Sequence, residues 1–238
     1  MTNVDNKDLI GFWHDPSFKN FILGEKTFEP LVNYFTQENL TIMNEQKLDQ
    51  FDHLYSSYGD NNYKFLFYSL VNILKPRKCV ELGVLNGYSL FSMAMALRDN
   101  GFGEITGYDL FEDYPYRHQK FDIIKCWIKK YGFENQITLK KADAFEASKL
   151  FNEIDFLHVD ISNNGETLKK IFIQCAAKVK KVMLFEGGSR ERDDVDWMTK
   201  YKKPKISNAL AYIEAFFPEW SIHVIEPLPS LTILIRES

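Results

Sequence analysis

Five carboxylates stand at or just beyond the ends of apolar segments of this chain, where acids can hold hydroxyls, cations or a proton. They are Glu81, Asp109, Asp143, Asp160 and Glu186. A single acid after a strand is commonly the N-cap of the next helix. Five acids at one edge of a sheet are harder to explain in that way, because ligands of open α/β sheets bind beyond the carboxyl ends of the strands. The pattern therefore predicts a polar ligand site along that edge.

A glycine-bracketed turn connects the first apolar strand to a helix. Gly83 and Gly87 permit dihedrals that a Cβ would forbid, and the helix start is expected to offer free N–H groups to a ligand. A dinucleotide-binding turn needs the spacing G-x-G-x-x-G, but here Leu85 and Tyr88 take the second and third glycine positions. Their side chains would crowd a pyrophosphate. The turn thus favours a nucleoside without phosphates, with Glu81 organising the loop around a cationic amino-acid group.

Apolar segments that alternate between strand and helix periodicity follow residue 60. The predicted strands are 78–82, 104–110, 137–140, 154–160, 179–185, 220–225 and 231–236, and the predicted helices are 62–74, 88–98, 118–131, 166–178, 194–200 and 206–217. Such alternation is typical of an α/β fold with a parallel sheet covered by helices on both faces. The last two strands lie close enough in sequence to pair antiparallel across a proline turn.

The chain is predicted to divide into two parts. Residues 1–60 contain short amphipathic helical patches and are interpreted as a helical cap or lid, and residues 61–238 form the α/β domain. The aromatic residues proposed to act as a lid, with simple packing as the open alternative, are Phe12, Trp13, Phe18 and Phe21.

Charge and composition exclude several classes of protein. A formal net charge of −4 disfavours a nucleic-acid binder, although a basic run lies between Lys200 and Lys205. An N-terminal signal sequence and an apolar run of the ~20 residues that a membrane span needs are both lacking. We therefore expect no membrane partner and a cytoplasmic location. Cys79, Cys126 and Cys175 are interpreted as buried free thiols, and the oligomeric state is left open.

Together these motifs resemble the class I S-adenosylmethionine-dependent methyltransferases over residues 60–238. Residues 81–87 match the family's E/D-x-G-x-x-x-G motif, Asp109 matches the acid that holds the ribose, and Asp143 with Ala144 matches the step that reads the adenine. The resemblance implies a doubly wound, Rossmann-like sheet of seven strands with the last one antiparallel, and S-adenosylmethionine as the cofactor. The residues that it assigns to cofactor binding are Glu81, Gly83, Asn86, Gly87, Tyr88, Ser89, Asp109, Leu110, Asp143, Ala144 and Asp160.

Within the family, residues 157–160 and the glycine pair at 187–188 are most similar to small-molecule O-methyltransferases. Some of those hold a divalent metal through acids after the fourth and fifth strands, and Asp160 and Glu186 occupy those places. Asn163 or Asn164 could add oxygen ligands. Metal-dependent members usually carry an Asp-Asp or Asp-Asn pair after the fifth strand, whereas glycines follow Glu186 here. A Mg²⁺ site is therefore the less favoured alternative.

A hydroxyl acceptor must lose a proton, which requires a base or a metal. Asp160 is the predicted base or metal ligand. His158, two residues earlier on the same face of the strand, would assist it, with a core histidine as the alternative. His118 is a further candidate beside the ribose acid, with a surface histidine as its alternative. Arg190 and Arg192 could bind an anionic acceptor or form an exposed ion-pair cluster.

The predicted activity is transfer of a methyl group to a hydroxyl of a small polar molecule, such as a sugar or a phosphorylated or carboxylated metabolite. Two alternatives remain open at this stage. One is an NAD-dependent oxidoreductase built on the same sheet, and the other is a nucleoside-binding protein without catalytic activity.

Overall fold

A computed structural model describes residues 46–57, 63–225 and 229–237 of the chain. The strands of that part are β1 (Lys78–Leu82), β2 (Glu104–Asp109), β3 (Ile137–Lys141), β4 (Ile154–Val159), β5 (Val179–Glu186), β6 (Trp220–Ile225) and β7 (Leu231–Arg236). Its α-helices are α1 (Tyr63–Leu74), α2 (Tyr88–Asn100), α3 (Phe121–Tyr131), α4 (Ala144–Ala147), α5 (Gly165–Cys175), α6 (Arg190–Asp193), α7 (Asp196–Lys200) and α8 (Ile206–Phe216).

The strands form one sheet in the order β3-β2-β1-β4-β5-β7-β6. Strands β1 to β5 pair in parallel, and β7 lies between β5 and β6 and is antiparallel to both. The predicted fold class is thus confirmed, including the antiparallel last strand. The sequence order reverses at β1, which has β2 on one side and β4 on the other. In a doubly wound sheet, such a switch point is where a ligand crevice forms.

Two apolar cores cover the two faces of the sheet. Helices α1, α2 and α3 pack on one face, and α5 and α8 pack on the other. Strand β1 shows how the sequence divides between them, because Cys79 belongs to the first core while Val80 and Leu82 belong to the second. Side chains that alternate in this way along a strand must be apolar on both faces, which explains the unbroken apolar runs of the sequence.

The described end of the predicted cap packs against the α/β domain. Leu48, Phe51 and Leu54 are buried, and the Phe51 ring lies 5.8 Å from that of Phe91 in α2 and 5.2 Å from that of Tyr131 in α3. The four proposed lid aromatics and the proposed domain boundary at residues 60–61 lie outside the described residues. The predicted division into two parts therefore stays a prediction.

The structure corrects three details of the sequence interpretation. Cys126 is exposed rather than buried, because it lies between the inward-facing Ile124 and Ile128 on α3 and so points about 200° away from each. The β3–β4 connection contains a helical turn, α4, that the periodicity did not predict. The short helix α6 was also not predicted, whereas the helix expected over residues 194–200 is present as α7.

Candidate functional site

A pocket of about 470 Å³ opens beyond the carboxyl ends of β1 to β4, at the predicted edge of the sheet. This volume is within the usual range for small-molecule sites. The residues that line the pocket follow all four strands and include Gly83, Leu85, Asp109, Leu110, Ala142, Asp143, Ala144, Phe145 and Asp160. The structure therefore brings together most of the acids and small residues that the sequence assigned to a nucleoside site.

Both glycines of the turn are required by the close packing of protein atoms around them. Gly83 has φ +91°, and a Cβ there would lie 1.9 Å from the carbonyl oxygen of Asp160, so the end of β1 meets the end of β4 only with glycine at this position. Gly87 has φ +80° and precedes α2, where a Cβ would lie 2.6 Å from the Phe91 ring. Close approach to neighbouring protein groups thus accounts for both glycines.

Asp109 connects β2 to the glycine turn. Its Oδ2 accepts hydrogen bonds from the backbone N–H groups of Val84 at 2.6 Å and Leu85 at 3.0 Å, and its Oδ1 accepts one from Phe111 at 2.6 Å. An ionised carboxylate offers about four lone-pair sites, so this half-buried acid keeps acceptor capacity toward the pocket that it lines. Asp109 can therefore shape the turn and hold a ligand hydroxyl at the same time.

The N–H groups of the glycine turn are largely occupied by protein acceptors. Asp109 takes those of Val84 and Leu85, the backbone of β2 takes that of Gly83 at 2.8 Å, and the carbonyl of Val84 takes that of Gly87 at 2.7 Å. The expectation of free N–H groups concerned the start of α2, which Gly87 precedes without a side-chain cap, and it stays a prediction. The turn itself would offer a pyrophosphate few donors, whereas a ligand without phosphates needs none of them.

The side chains of the turn point in different directions. Leu85, with φ +45°, lines the pocket as predicted, but Tyr88 is buried and its hydroxyl accepts a hydrogen bond from the backbone N–H of Lys64 at 3.1 Å. The expectation that Tyr88 would crowd a phosphate is therefore corrected. Asn86 also turns aside, since its Nδ2 donates to the carbonyl of Tyr55 at 3.1 Å. Of these predicted cofactor contacts, neither Asn86 nor Tyr88 lines the pocket.

Asp143 combines the two roles that the sequence left open. Its Oδ1 accepts hydrogen bonds from the N–H groups of Phe145 at 2.9 Å and Glu146 at 3.4 Å, which makes it the N-cap of α4. The same residue is exposed and lines the pocket together with Ala144. A capping acid of this kind can still accept a hydrogen bond from a ligand, because one oxygen satisfies both backbone donors.

Glu81 and His158 form a buried pair behind the pocket. Glu81 Oε1 lies 2.8 Å from His158 Nδ1 and accepts a hydrogen bond from Ser89 Oγ at 2.5 Å, and both side chains of the pair are fully buried. His158 also packs against the Phe67 ring, with the ring centres 4.9 Å apart. Neither Glu81, Ser89 nor His158 lines the pocket. This placement agrees with the core-histidine alternative rather than with direct assistance to Asp160.

Asp160 is the acid best placed to act on a bound ligand. It follows β4, is half-buried and lines the pocket, and within the described part of the chain its carboxylate receives no hydrogen bond. Burial raises the pKa of Asp160 well above its ordinary range. The negative charges of Glu186 and Glu81 raise it further, and Arg192 opposes them. A carboxylate with a raised pKa is a stronger proton acceptor than an ordinary aspartate.

Glu186, the last residue of β5, is paired with Arg192. Arg192 Nε donates to Glu186 Oε1 at 2.6 Å and its Nη2 donates to Oε2 at 2.9 Å, and both side chains are almost fully buried. Burial raises the pKa of Glu186, while the hydrogen bonds and charge of Arg192 act in the opposite direction. The exposed ion-pair cluster proposed for this arginine is therefore not formed, because Arg192 is buried, Asp193 accepts from the start of α8 and Asp194 pairs with Lys205.

The oxygen ligands needed for a divalent metal are only partly open. Both oxygens of Glu186 accept from Arg192, and Asn164 Oδ1 caps α5. What remains is the Asp160 carboxylate and Asn163 Oδ1, which is buried without a hydrogen-bond partner among the described residues. Within that part of the chain, no group of three or more His, Cys, Asp or Glu residues is arranged to hold a metal. The donor set therefore does not fit the ion that the sequence left open.

The pocket rim carries residues that the sequence interpretation largely missed. Tyr114 Oη and Ser162 Oγ lie 3.2 Å apart, which links the loop after β2 to the loop after β4 across the pocket. The guanidinium of Arg117 lies 3.4 Å from the centre of the Tyr55 ring. His118, a predicted candidate, is exposed and also lines the pocket. The run of aromatic and basic residues after Asp109 in the sequence could have indicated this part of the pocket rim.

Comparison with known proteins agrees with this architecture. A family model described as a methyltransferase domain matches residues 80–182. A protein named "Probable caffeoyl-CoA O-methyltransferase" from Arabidopsis thaliana is 33% identical over 148 residues, which cover 56% of this chain and 60% of that protein. Tapetum-specific methyltransferase 1 of the same plant is 29% identical over 133 residues, or 54% of this chain and 51% of its own length. The matched segments thus span little more than half of these curated relatives.

Solved structures match over more of the chain but at low identity. An O-methyltransferase from Bacillus cereus, in complex with S-adenosylhomocysteine (SAH), has a TM-score of 0.59 at 15% identity and covers 82% of this chain and 91% of its own. The SAH-bound Podospora anserina methyltransferase PaMTH1 has a TM-score of 0.57 at 15% identity, with coverages of 90% and 97%. At such identities the likeness concerns the fold. Together with the family model matched around the glycine turn, it agrees with the methyltransferase fold that the sequence motifs predicted.

Proposed function

We propose that this protein transfers a methyl group from S-adenosylmethionine to a hydroxyl of a small molecule. The observation that carries the proposal is the occupancy of the glycine turn. Asp109 and the backbone already bind four N–H groups of the turn, and Leu85 stands in the pocket wall at the position of a dinucleotide turn's second glycine. A nucleoside whose reactive group is a sulfonium rather than a phosphate suits that turn.

The lining residues fit such a nucleoside in three places. Asp109 retains acceptor capacity for the ribose hydroxyls, and Asp143 with Ala144, in the wall of the same pocket, is proposed to read the adenine edge. Leu110 and Phe145 add apolar surface beside them. When bound, S-adenosylmethionine supplies an electrophilic methyl group on a positively charged sulfur.

Asp160 is proposed as the base. An ionised Asp160 takes the proton of the acceptor O–H, and the oxygen lone pair forms the new C–O bond while the C–S bond breaks toward sulfur. The products are protonated Asp160, the methyl ether and neutral SAH, so charge and atoms balance. Positioning of the reacting atoms in line supplies much of the rate, on the order of 7–11 kcal/mol. His158 contributes indirectly, by pairing with Glu81 and so linking β4 to β1 behind the pocket.

The acceptor is proposed to be a small polar molecule. The names of the plant relatives favour a phenolic hydroxyl of the caffeoyl-CoA kind, and the sequence favoured a sugar or a phosphorylated or carboxylated metabolite. Arg117 and His118 at the rim support an acceptor with an anionic group, because both are exposed and reach the pocket. The oxidoreductase alternative is not favoured, since Leu85 stands in the pocket wall where a dinucleotide turn carries its second glycine.

A methyl-transfer assay tests this proposal. The full chain is incubated with S-adenosylmethionine and, separately, caffeoyl-CoA, catechol and a sugar phosphate, and SAH is quantified together with the methylated product. We expect turnover with at least one acceptor and a loss of roughly 10²–10⁴-fold in kcat for Asp160→Asn, the usual contribution of a general base. Turnover by Asp160→Asn at the wild-type rate would refute the role given to Asp160.

A further inference from the structure

We propose that the guanidinium of Arg192 takes the place of a divalent cation at this site, so that methyl transfer needs no added metal. The inference rests on the proposed function, because it concerns the charge beside the same acids. The evidence for it is that Arg192 binds both carboxylate oxygens of Glu186, the acid that a metal after the fifth strand would need as a ligand.

The contacts of Arg192 are those of a fixed, buried cation. It binds both oxygens of Glu186 in the bidentate geometry that guanidinium and carboxylate favour, and its Nη2 also donates to the carbonyl of Asn163 at 3.1 Å. Its guanidinium carbon lies 5.1 Å from the centre of the Trp197 ring. Arg192 is only 6% exposed, so these contacts are shielded from water.

The arrangement excludes a metal by charge as well as by occupancy. Arginine stays protonated in proteins, so neither a pH change nor a proton transfer frees Glu186. A divalent ion that bound Glu186 would have to displace a buried bidentate pair and then sit beside the displaced positive charge. The ligands left over are the carboxylate of Asp160 and the neutral amide oxygen of Asn163, so only one negative charge would remain to hold the ion.

Arg192 performs two of the tasks that a metal would perform here. It neutralises an acid next to Asp160, and it links the loop after β4, through Asn163, to the end of β5. The neighbouring Asp193 extends that link, because it accepts from the N–H groups of Ile206 at 2.5 Å and Ser207 at 3.1 Å at the start of α8. A metal's remaining task, removal of the acceptor proton, is left to Asp160. Arg192 is thus a positioning residue.

Binding of Mn²⁺ to the full chain tests this inference without relying on turnover. Isothermal titration of the metal-free wild type with Mn²⁺, with and without SAH, is expected to show no saturable binding. Arg192→Gln, which leaves Glu186, Asp160 and Asn163 as open oxygen ligands, is expected to gain a Mn²⁺ site and a Mn²⁺-dependent rise in melting temperature. Arg192→Lys keeps the cation and should gain no site. Arg190→Gln, at the exposed neighbouring arginine, is the matched control.

Two outcomes would overturn the inference. One is stoichiometric Mn²⁺ binding to the wild type that Glu186→Gln abolishes. The other is methyl transfer that EDTA stops and Mg²⁺ restores by tenfold or more. SAH is titrated in the same buffers to separate this failure from failure of the proposed function. A protein that binds Mn²⁺ through Glu186 refutes the role given to Arg192, whether or not it binds SAH. A protein that does not bind SAH refutes the proposed function.

Discussion

Replacing Asp109 with asparagine should affect both the folding and the ligand affinity of this protein. Asp109 accepts backbone hydrogen bonds from Val84, Leu85 and Phe111, with each of its two oxygens in use. Asparagine has one acceptor oxygen, so at least one of these bonds is lost and an NH₂ group faces a backbone donor. Since a hydrogen bond to a charged group contributes about 1.5–3 kcal/mol, we expect the free energy of unfolding to fall by about that amount.

The same substitution removes the acceptor proposed for the ribose hydroxyls. Loss of charge-assisted bonds to SAH worth about 2–3 kcal/mol corresponds to a roughly 30- to 150-fold weaker Kd. Isothermal titration calorimetry with SAH measures this change, and urea unfolding measures the stability of the same preparation. Both values are needed, because a variant with a loosened turn loses affinity even if Asp109 never touches the ligand.

Asp155→Asn is a matched control at the opposite edge of the sheet. Asp155 Oδ2 accepts from the backbone N–H groups of Arg77 at 2.7 Å and Lys78 at 3.1 Å, just before and at the start of β1. It should keep the SAH affinity within about twofold, since effects at distant sites are usually independent. Its loss of stability should be smaller, because both donors bind one oxygen, which asparagine retains. Wild-type affinity in Asp109→Asn, or an equal loss of affinity in Asp155→Asn, would refute the role given to Asp109.

Three further predictions follow from individual contacts. Gly83→Ala should destabilise the fold by more than about 3 kcal/mol or prevent folding, because its Cβ would overlap the carbonyl of Asp160. Gly101, with φ +77°, has open space around the position of a Cβ, so Gly101→Ala should cost only about 1 kcal/mol. Urea unfolding measures both changes in stability. Burial raises the pKa of Asp160, so the native state holds its proton to higher pH than the unfolded chain does, and wild-type stability should fall as pH rises above the ordinary value of 3.8. Asp160→Asn should therefore be more stable than wild type at pH 8, with the difference shrinking toward pH 4. Tyr114→Phe removes the hydroxyl that lies 3.2 Å from Ser162 Oγ. Since such a hydrogen bond contributes about 0.5–1.5 kcal/mol, SAH release measured by stopped flow should become roughly 2- to 10-fold faster. Tyr116→Phe, at an exposed tyrosine of the same rim, should leave the release rate unchanged.

Each of these predictions can fail in a distinct way. Equal stability of the Gly83→Ala and Gly101→Ala variants would contradict the close approach of β1 to β4. A stability difference between wild type and Asp160→Asn that does not change between pH 4 and pH 8 would show that Asp160 titrates normally. Identical SAH release from Tyr114→Phe and Tyr116→Phe would show that the link to Ser162 does not retain the ligand.

Much of the fold could be predicted from local patterns. Strand β1 and helix α2 are specified by an apolar run, a glycine turn and a helical stripe within 25 residues, and the structure reproduces their order and pairing. Cys126 shows the limit of that approach, because an apolar neighbourhood in sequence does not fix which side of a helix faces the core. The one-turn helix α4 was also missed, since four residues carry too little periodicity to register.

The site could be predicted only in part, because side-chain pairing is not visible in local sequence. Asp109, Asp143 and Asp160 meet at the pocket as the rule for strand ends implies. Glu81 and Glu186 also lie at strand ends, but neither side chain lines the pocket. Glu81 pairs with His158, 77 residues later in the chain, and Glu186 pairs with an arginine on the following short helix. Such partners are decided by packing in three dimensions.

Calorimetric titration of the full chain with SAH, S-adenosylmethionine and NAD distinguishes a site for a sulfur nucleoside from a dinucleotide site. The occupied N–H groups of the glycine turn and the three acids of the pocket predict one site for each sulfur nucleoside and no detectable binding of NAD. Binding of NAD without binding of SAH would contradict the account and restore the oxidoreductase alternative.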